Sequence, residues 1–396
     1  MGKPTHLGDS HNFGRRVSQH ENFVVKPRTL LWEWLLLAKD SPLRAFLARA
    51  ANDDGLGSAS FDFLPDLKFD SPHARDGGHV QIIDLAPLPA PTNAQQLELA
   101  CTVGQSIALF SWLGVADLHW ENIVIGVDDG GRMIFTPLDI EMILADLSLP
   151  TETKLLPDAD PEVVAVCRHA AGVRRILPFL GKPVDPQHLV AMASSYRKML
   201  AFLERRSQEI ASIFDALPEF RATPIRVCLR GTDEYVRADS ASLWPPLLQA
   251  ETEQLERGDI PYFFRLYDRP GIHYFGNREL TQINTLPLEG DVPQLDPMLR
   301  VSRGFRSPSR KKLRDEGLCT VLGAFDHKSF KGAFAHDGLE VVFRQRSFVV
   351  KLPDGEELEV ARNMSAFVGS VYLPCRCGEV LSVFVPRVTR CDGTAC

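Results

Sequence analysis

Long hydrophobic runs are missing from this sequence. No stretch of about 18 apolar residues occurs, which argues against a membrane-spanning helix, and the opening MGKPTHLGDSHNFGRR lacks the apolar core of a secretory signal. Gly2 follows Met1, but His6 stands where a myristoylation signal wants Ser or Thr. An excess of basic charge is also missing: 44 Lys and Arg face 51 Asp and Glu, for a net charge of −7. That leaves no global electrostatic footprint for nucleic acid. Cysteine is sparse, eight in 396 residues. With no export signal, Cys101, Cys167, Cys228 and Cys319 read as reduced, buried thiols of a cytosolic protein rather than a disulfide framework. There is no internal repeat and no low-complexity tract. What is present is ordinary globular material, 44% hydrophobic and 24% charged, in a chain long enough for two or three domains.

The organisation alternates helix and strand. Residues 12 to 26 alternate like an edge-of-sheet segment closing at Lys26 and Pro27. LLWEWLLLAKDSPLRAFLARAAN reads as helix on both sides of Ser41-Pro42, which should break it. SFDFL and HVQIIDL are short strand candidates. NAQQLELACTVGQSIALFSWLG has helical spacing, and NIVIGV and RMIFTPL form a hairpin around DDGG. Helices are expected at 161 to 176, at DPQHLVAMASSYRKMLAFLERRSQEIASIFDAL and at 240 to 257, with a strand at PIRVCLR. Beyond residue 290 the composition turns basic (RGFRSPSRKKLR) and then β-type (LEVVFRQRSFVVKL, VLSVFVPRV), with a boundary near 320.

Chemistry concentrates in GVADLHWENIVIG. Asp117 and Asn122 have the five-residue spacing of a kinase catalytic loop, in which the Asp receives the hydroxyl proton and the Asn holds Mg²⁺. FTPLDIE then supplies Asp139 and Glu141, which an extended chain puts on one side, facing one cation. His119 is placed to orient Asp139 or Asp117. Upstream, Lys26 at a strand end is the candidate phosphate lysine, preceded by the glycine-punctuated GDSHNFGRRV, with Gly8 and Gly14, a loop suited to close over phosphates. Taken singly each motif is weak; in order they point to an ATP and Mg²⁺ site.

The ordered set GDSHNFGRRV, VVKPRTL, VGQSIALFSWLGVADLHWENIV, LDIEMIL, IRVCLRGTDEY and ETEQLERGDIPYFF resembles the dehydratase domain of class II lanthipeptide synthetases (the LanM type), over about residues 8 to 265. That domain is similar in fold to lipid kinases. The resemblance implies an α+β fold with a kinase-like two-lobed catalytic domain, and the β-type runs beyond it point to a small β-rich C-terminal domain. The expected division is 1–93, 94–290, a basic linker 291–320, and 321–396. It implies phosphorylation of Ser and Thr in a precursor peptide, followed by phosphate elimination to dehydroalanine or dehydrobutyrine. Lys26 then matches the phosphate lysine, with Asp117, His119, Asn122, Asp139 and Glu141 serving phosphorylation and Mg²⁺. Arg226, Thr232, Asp9 and His11 match the elimination residues; Arg230 rivals Arg226.

The sequence departs from the family in two ways. The loop begins at Gly8, where members usually carry a long N-terminal region first, and no W-C-H-G signature of a zinc cyclase appears. The expectation is a stand-alone enzyme whose leader recognition or ring formation falls to a separate partner. Cys375, Cys377, Cys391 and Cys396 form a terminal cluster open to structural Zn²⁺ or to independent thiols. Two other functions compete: a kinase-only phosphotransferase of the aminoglycoside-kinase type, and a non-catalytic pseudokinase scaffold.

Overall fold

A computed structural model describes residues 5–157, 171–181, 183–237, 247–267, 269–287, 309–362 and 388–390. The alternating N-terminal segment folds into strands β1 (Thr5–His11), β2 (Arg15–Gln19) and β3 (Phe23–Lys26). With β4 (Phe69–Asp70) and β5 (Gly78–Gln81) they make an antiparallel sheet in the order β1-β2-β3-β5-β4. The β1–β2 register slips between Leu7 and His11, where Gly8 has φ +67. Lys26 pairs with Gly78, at a site with no room for a side chain: a Cβ there would stand 2.9 Å from Leu30 Cδ1 and Ser71 O.

Helices Leu31–Leu37 and Pro42–Asp53 follow, broken at Ser41-Pro42 as the sequence requires, with Ser41 Oγ capping Arg44 N. The long helix Asn93–Leu113 starts in a capping box, Thr92 with Gln95, and stops at Gly114 in the left-handed conformation. It packs along Pro186–Arg205 closely enough that a Cβ on Gly104 would fall 2.0 Å from Met192 O. Gly114 delivers the chain into the Asp117 loop, and the hairpin β6 (Ile123–Val127) and β7 (Met133–Pro137) closes around Asp128, which accepts from Gly130 N and Arg132 N. A second antiparallel sheet runs β11-β10-β9-β8, from β8 (Ile225–Val227), β9 (Phe263–Arg265), β10 (His273–Phe275) and β11 (Ile283–Thr285). The third holds β12 (Gly332–His336), β13 (Leu339–Phe343), β14 (Ser347–Lys351), β15 (Glu357–Ala361) and β16 (Val388–Arg390) in sequence order. The protein is mixed α+β, and none of its described helices is long and apolar enough to cross a membrane.

Several expectations need correction. SFDFL is no strand: Ser58–Phe61 is a 3₁₀ turn, and Phe61, Phe63 and Leu64 are buried in the core. The longest helix breaks at Arg206, whose guanidinium binds Asp54 at 2.6 Å and Glu209 at 2.8 Å, and resumes as Ser207–Asp215. Of 161 to 176, residues 161–170 lie outside the described residues, and Gly172–Arg175 is 3₁₀. Of 240 to 257, Gln249–Glu256 is helical. The basic linker ending at 320 is wrong over its second half, because Ser309–Phe325 is one helix. Its apolar residues Leu313, Leu318, Cys319, Val321 and Leu322 are buried, and Tyr196 OH donates to Leu313 O at 2.7 Å. A boundary at 320 would cut that helix. One hydrophobic core runs from Leu31 to Val360, so the C-terminal sheet shares the core of the preceding helices.

Candidate functional site

Two clusters of side chains meet beside the end of β3. In the first, Lys26 projects from the last residue of the strand and is buried. Its Nζ donates to Glu33 Oε1 (3.1 Å), Leu138 O (2.9 Å) and Asp139 Oδ1 (3.1 Å). Arg28, two residues on, joins three carboxylates: Glu33 at 2.5 Å, Asp139 in close contact, and Glu141 at 3.1 Å. Glu141 is also bound directly by Arg226 Nη1. The main chain draws them together as well, Arg226 N donating to Glu141 O at 2.8 Å. Arg226 lies over the Tyr262 ring, 5.5 Å from its centroid.

The second cluster is the loop after the long helix. Asp117 has φ +64, and Asn122 Nδ2 donates to its backbone oxygen (2.9 Å) and to Oδ2 (3.4 Å). Lys154 Nζ donates to Asp117 Oδ1 at 2.9 Å. His119 Nε2 stands 4.0 Å from Asp117 Oδ2, so of its two candidate carboxylates it faces Asp117. The clusters are joined where Leu138 N donates to Asn122 O at 2.8 Å, which sets Asn122 opposite Leu138, the residue before Asp139, at the hairpin mouth.

Charge is balanced inside the site: Lys26, Arg28, Arg226 and Lys154 against Glu33, Asp139, Glu141 and Asp117. Desolvation works to raise the Asp139 carboxyl, but Arg28 and then Lys26 hold it well below the usual carboxylate range. Asp117 is lowered in the same sense, desolvation being outweighed by Lys154 and then His119. Desolvation opposes the charge on Arg226, and Glu141 more than restores it. Arg226 is felt at both Asp117 and Asp139, so one guanidinium serves both clusters.

The glycine-punctuated turn reaches this site by a route the sequence did not suggest. Asn12, Phe13 and Gly14 all have positive φ. The amides of Phe13 and Gly14 point at one carboxylate, Asp259, at 2.7 and 2.9 Å. Those amides are therefore not offered to a phosphate, contrary to the loop's expected role. Docking the turn brings His11 inward: its Nδ1 meets Ile260 O at 2.7 Å, and its ring meets Tyr262 edge-on, centroids 5.9 Å apart. A carbonyl only accepts, so Nδ1 carries the hydrogen. Burial first and Arg226 second lower the His11 pKa, and the neutral ring then keeps its lone pair on Nε2. Asp9 is exposed on the same strand, as is Gly8.

Thr232 opens the helix Thr232–Arg237, half-buried, and among the described residues its hydroxyl has no hydrogen-bond partner. Arg230 is committed elsewhere, to Glu251 at 2.9 Å, which also accepts from Tyr235 OH. Arg226, not its rival, faces the cluster.

No group of three or more His, Cys, Asp or Glu among the described residues is arranged as a metal cage. The Asn122–Asp139 pair nevertheless suits Mg²⁺, which takes few protein oxygens and keeps its waters. Lys26 and Arg28 both bind the same Asp139 oxygen, the side chain stays 38% exposed, and Asn122 turns its amide nitrogen toward Asp117, leaving its oxygen as acceptor. Glu141 fits less well, held by Arg28 and Arg226. Cys375, Cys377, Cys391, Cys396 and Cys167 lie outside the described residues; Cys101 and Cys228 are half-buried and Cys319 is buried.

Arg28, Glu33, Lys154, Asp259 and Tyr262 were missed by motif reading. Glu33 did carry a signal, a lone carboxylate in the apolar run LLWEWLLL that needs a cationic partner when buried. Lys154 carried none, lying 37 residues from Asp117. The chain matches no known family model and no curated protein.

Proposed function

We propose that this is a phosphotransferase of two-lobed, kinase-like architecture whose site also eliminates the phosphate it installs. More narrowly, it is a peptide Ser/Thr dehydratase of the class II lanthipeptide type, acting with ATP and Mg²⁺ on a ribosomally made precursor. The β1–β5 sheet with its two helices corresponds to the small lobe, and the paired helices with the β6–β7 hairpin to the large one.

In the first step Asp117 accepts the proton of a Ser or Thr hydroxyl as its oxygen attacks the terminal phosphorus of ATP, and the bond to ADP breaks. Lys26 and Arg28 neutralise the nucleotide phosphates; the docked turn leaves that task to them. Asn122 and Asp139 would hold Mg²⁺, which offsets phosphate charge. Lys154 keeps Asp117 ionised and aimed. In the second step His11 Nε2 removes the α-proton of the phosphorylated residue. The C–H electron pair becomes the Cα=Cβ bond, the Cβ–O bond breaks, and inorganic phosphate leaves. Arg226 holds the developing enolate or phosphate oxyanion through paired N–H donors, with Thr232 as a second donor and Asp9 facing His11.

The observation that carries this reading is the carboxylate of Glu141. It touches Arg28, beside the phosphate lysine, and Arg226, on the strand assigned to elimination, which supports both half-reactions acting on one peptide residue. A kinase alone has no use for that second arginine. The test is to incubate the full chain with ATP, Mg²⁺ and a Ser/Thr-rich peptide from a neighbouring gene and read masses. Dehydration appears as loss of one water per site; a stable phosphopeptide would reduce the protein to a kinase, and an unchanged peptide to a scaffold.

A further inference from the structure

The buried carboxylate of Asp259 has no part in the chemistry above, yet it accepts three hydrogen bonds from the strand and turn that carry His11. Its side chain is inaccessible to solvent, and it takes Ser10 Oγ at 2.6 Å, Phe13 N at 2.7 Å and Gly14 N at 2.9 Å. Arg257 Nε stands 3.7 Å away, too far for a tight pair, its guanidinium instead lying over the Phe13 ring, 4.1 Å from the centroid. The adjoining residue continues the clamp in both directions: Ile260 N donates to Ser10 O at 2.8 Å, and Ile260 O accepts from His11 Nδ1 at 2.7 Å. Two residues on, Tyr262 is the surface against which His11 and Arg226 both pack.

We propose that Asp259 is a positioning residue for the elimination step: its carboxylate clamps the turn that ends the strand carrying Asp9 and His11, and the carbonyl of Ile260 beside it selects the imidazole tautomer with a free Nε2. The inference rests on the dehydratase reading for its catalytic consequence and on the hydrogen bonds alone for the tautomer.

The physics is specific. Successive amides at positive φ form a concave donor site that favours an anion, and non-glycine residues such as Asn12 and Phe13 hold that conformation only when something over-determines it. The Asp259 carboxylate supplies that constraint through three hydrogen bonds. A neutral amide in its place offers one acceptor oxygen instead of two and puts N–H donors against N–H donors. The turn would relax, and with it the Nδ1 contact. Displacing a reacting group by about 1 Å costs on the order of 100-fold in rate.

The experiment uses the full chain and Asp259→Asn, near-isosteric, with Ser10→Ala as a milder variant that removes one clamp bond and leaves the carboxylate in place. Asp259→Asn should slow elimination about 10- to 100-fold relative to phosphorylation, so that phosphopeptide accumulates, with Ser10→Ala intermediate. In parallel, ¹⁵N spectra of the His11 imidazole should change from the Nδ1–H tautomer in the wild type to a mixture in Asp259→Asn. Wild-type dehydration by Asp259→Asn, or equal loss of both half-reactions, overturns the positioning role. If the wild type leaves peptides unmodified, the dehydratase reading is what fails; an unchanged tautomer in Asp259→Asn then overturns the clamp independently.

Discussion

Replacing Arg226 with Ala separates this protein from a plain kinase. Truncation removes the direct bond to Glu141 and the stack over Tyr262. Breaking a buried ion pair typically costs about 3–5 kcal/mol when the surviving charge is left alone. Glu141 is not left alone, because Arg28 Nε stays at 3.1 Å; the cost falls to about 2 kcal/mol, plus about 1 kcal/mol for the cation–π contact. A loss of about 3 kcal/mol lowers the melting temperature of a protein of ordinary stability without unfolding it. The catalytic consequence is larger. Losing one preorganised oxyanion donor costs on the order of 100-fold in rate, most of it expected in the elimination half. The peptide should therefore accumulate one phosphate heavier per site, read by mass spectrometry over time beside a thermal melt of the variant. Normal dehydration by a folded Arg226→Ala, or loss of phosphorylation as well, refutes the assignment.

Asp117→Asn should abolish phosphate transfer while the fold persists, since the two side chains are near-isosteric and the loss is proton acceptance and charge; near-normal transfer would make Asp117 structural. The elimination rate on a pre-phosphorylated peptide should keep its plateau down to pH values below 6.5, because burial and then Arg226 hold His11 neutral there. An acid limb above pH 6.5 would contradict that. In β9, Arg265 is 3% exposed, and Nε and Nη1 lack partners among the described residues, with Nη2 on Ile143 O. Burial pushes its pKa down to about 10, Asp146 only partly compensating. Arg265→Met should accordingly be neutral or stabilising by about 1–3 kcal/mol in urea unfolding; a destabilisation of several kcal/mol would mean the guanidinium is held by more than Ile143.

Local rules written into the sequence determined much of this protein: Thr92 and Gly114 as the caps of the long helix, Pro42 as a break, DDGG as a hairpin, and the strand that ends at Lys26. The same locality made Asp117, Asn122, Asp139 and Glu141 readable as a set, because their spacing is fixed by one loop and one hairpin. Tertiary packing decided the rest. Whether Arg226 or Arg230 faces the cluster depends on Glu251, which captures Arg230 from the helix Gln249–Glu256. The role of the glycine-punctuated turn depends on Asp259, about 245 residues away in the chain. Residues 309–320 look like a solvated linker from their charge but are helical, because the apolar residues between those charges find a face on Pro186–Arg205. Spacing along a chain predicts contacts only between neighbours in sequence; a buried carboxylate takes whichever donors the fold brings within 3 Å, and no local pattern encodes which those will be.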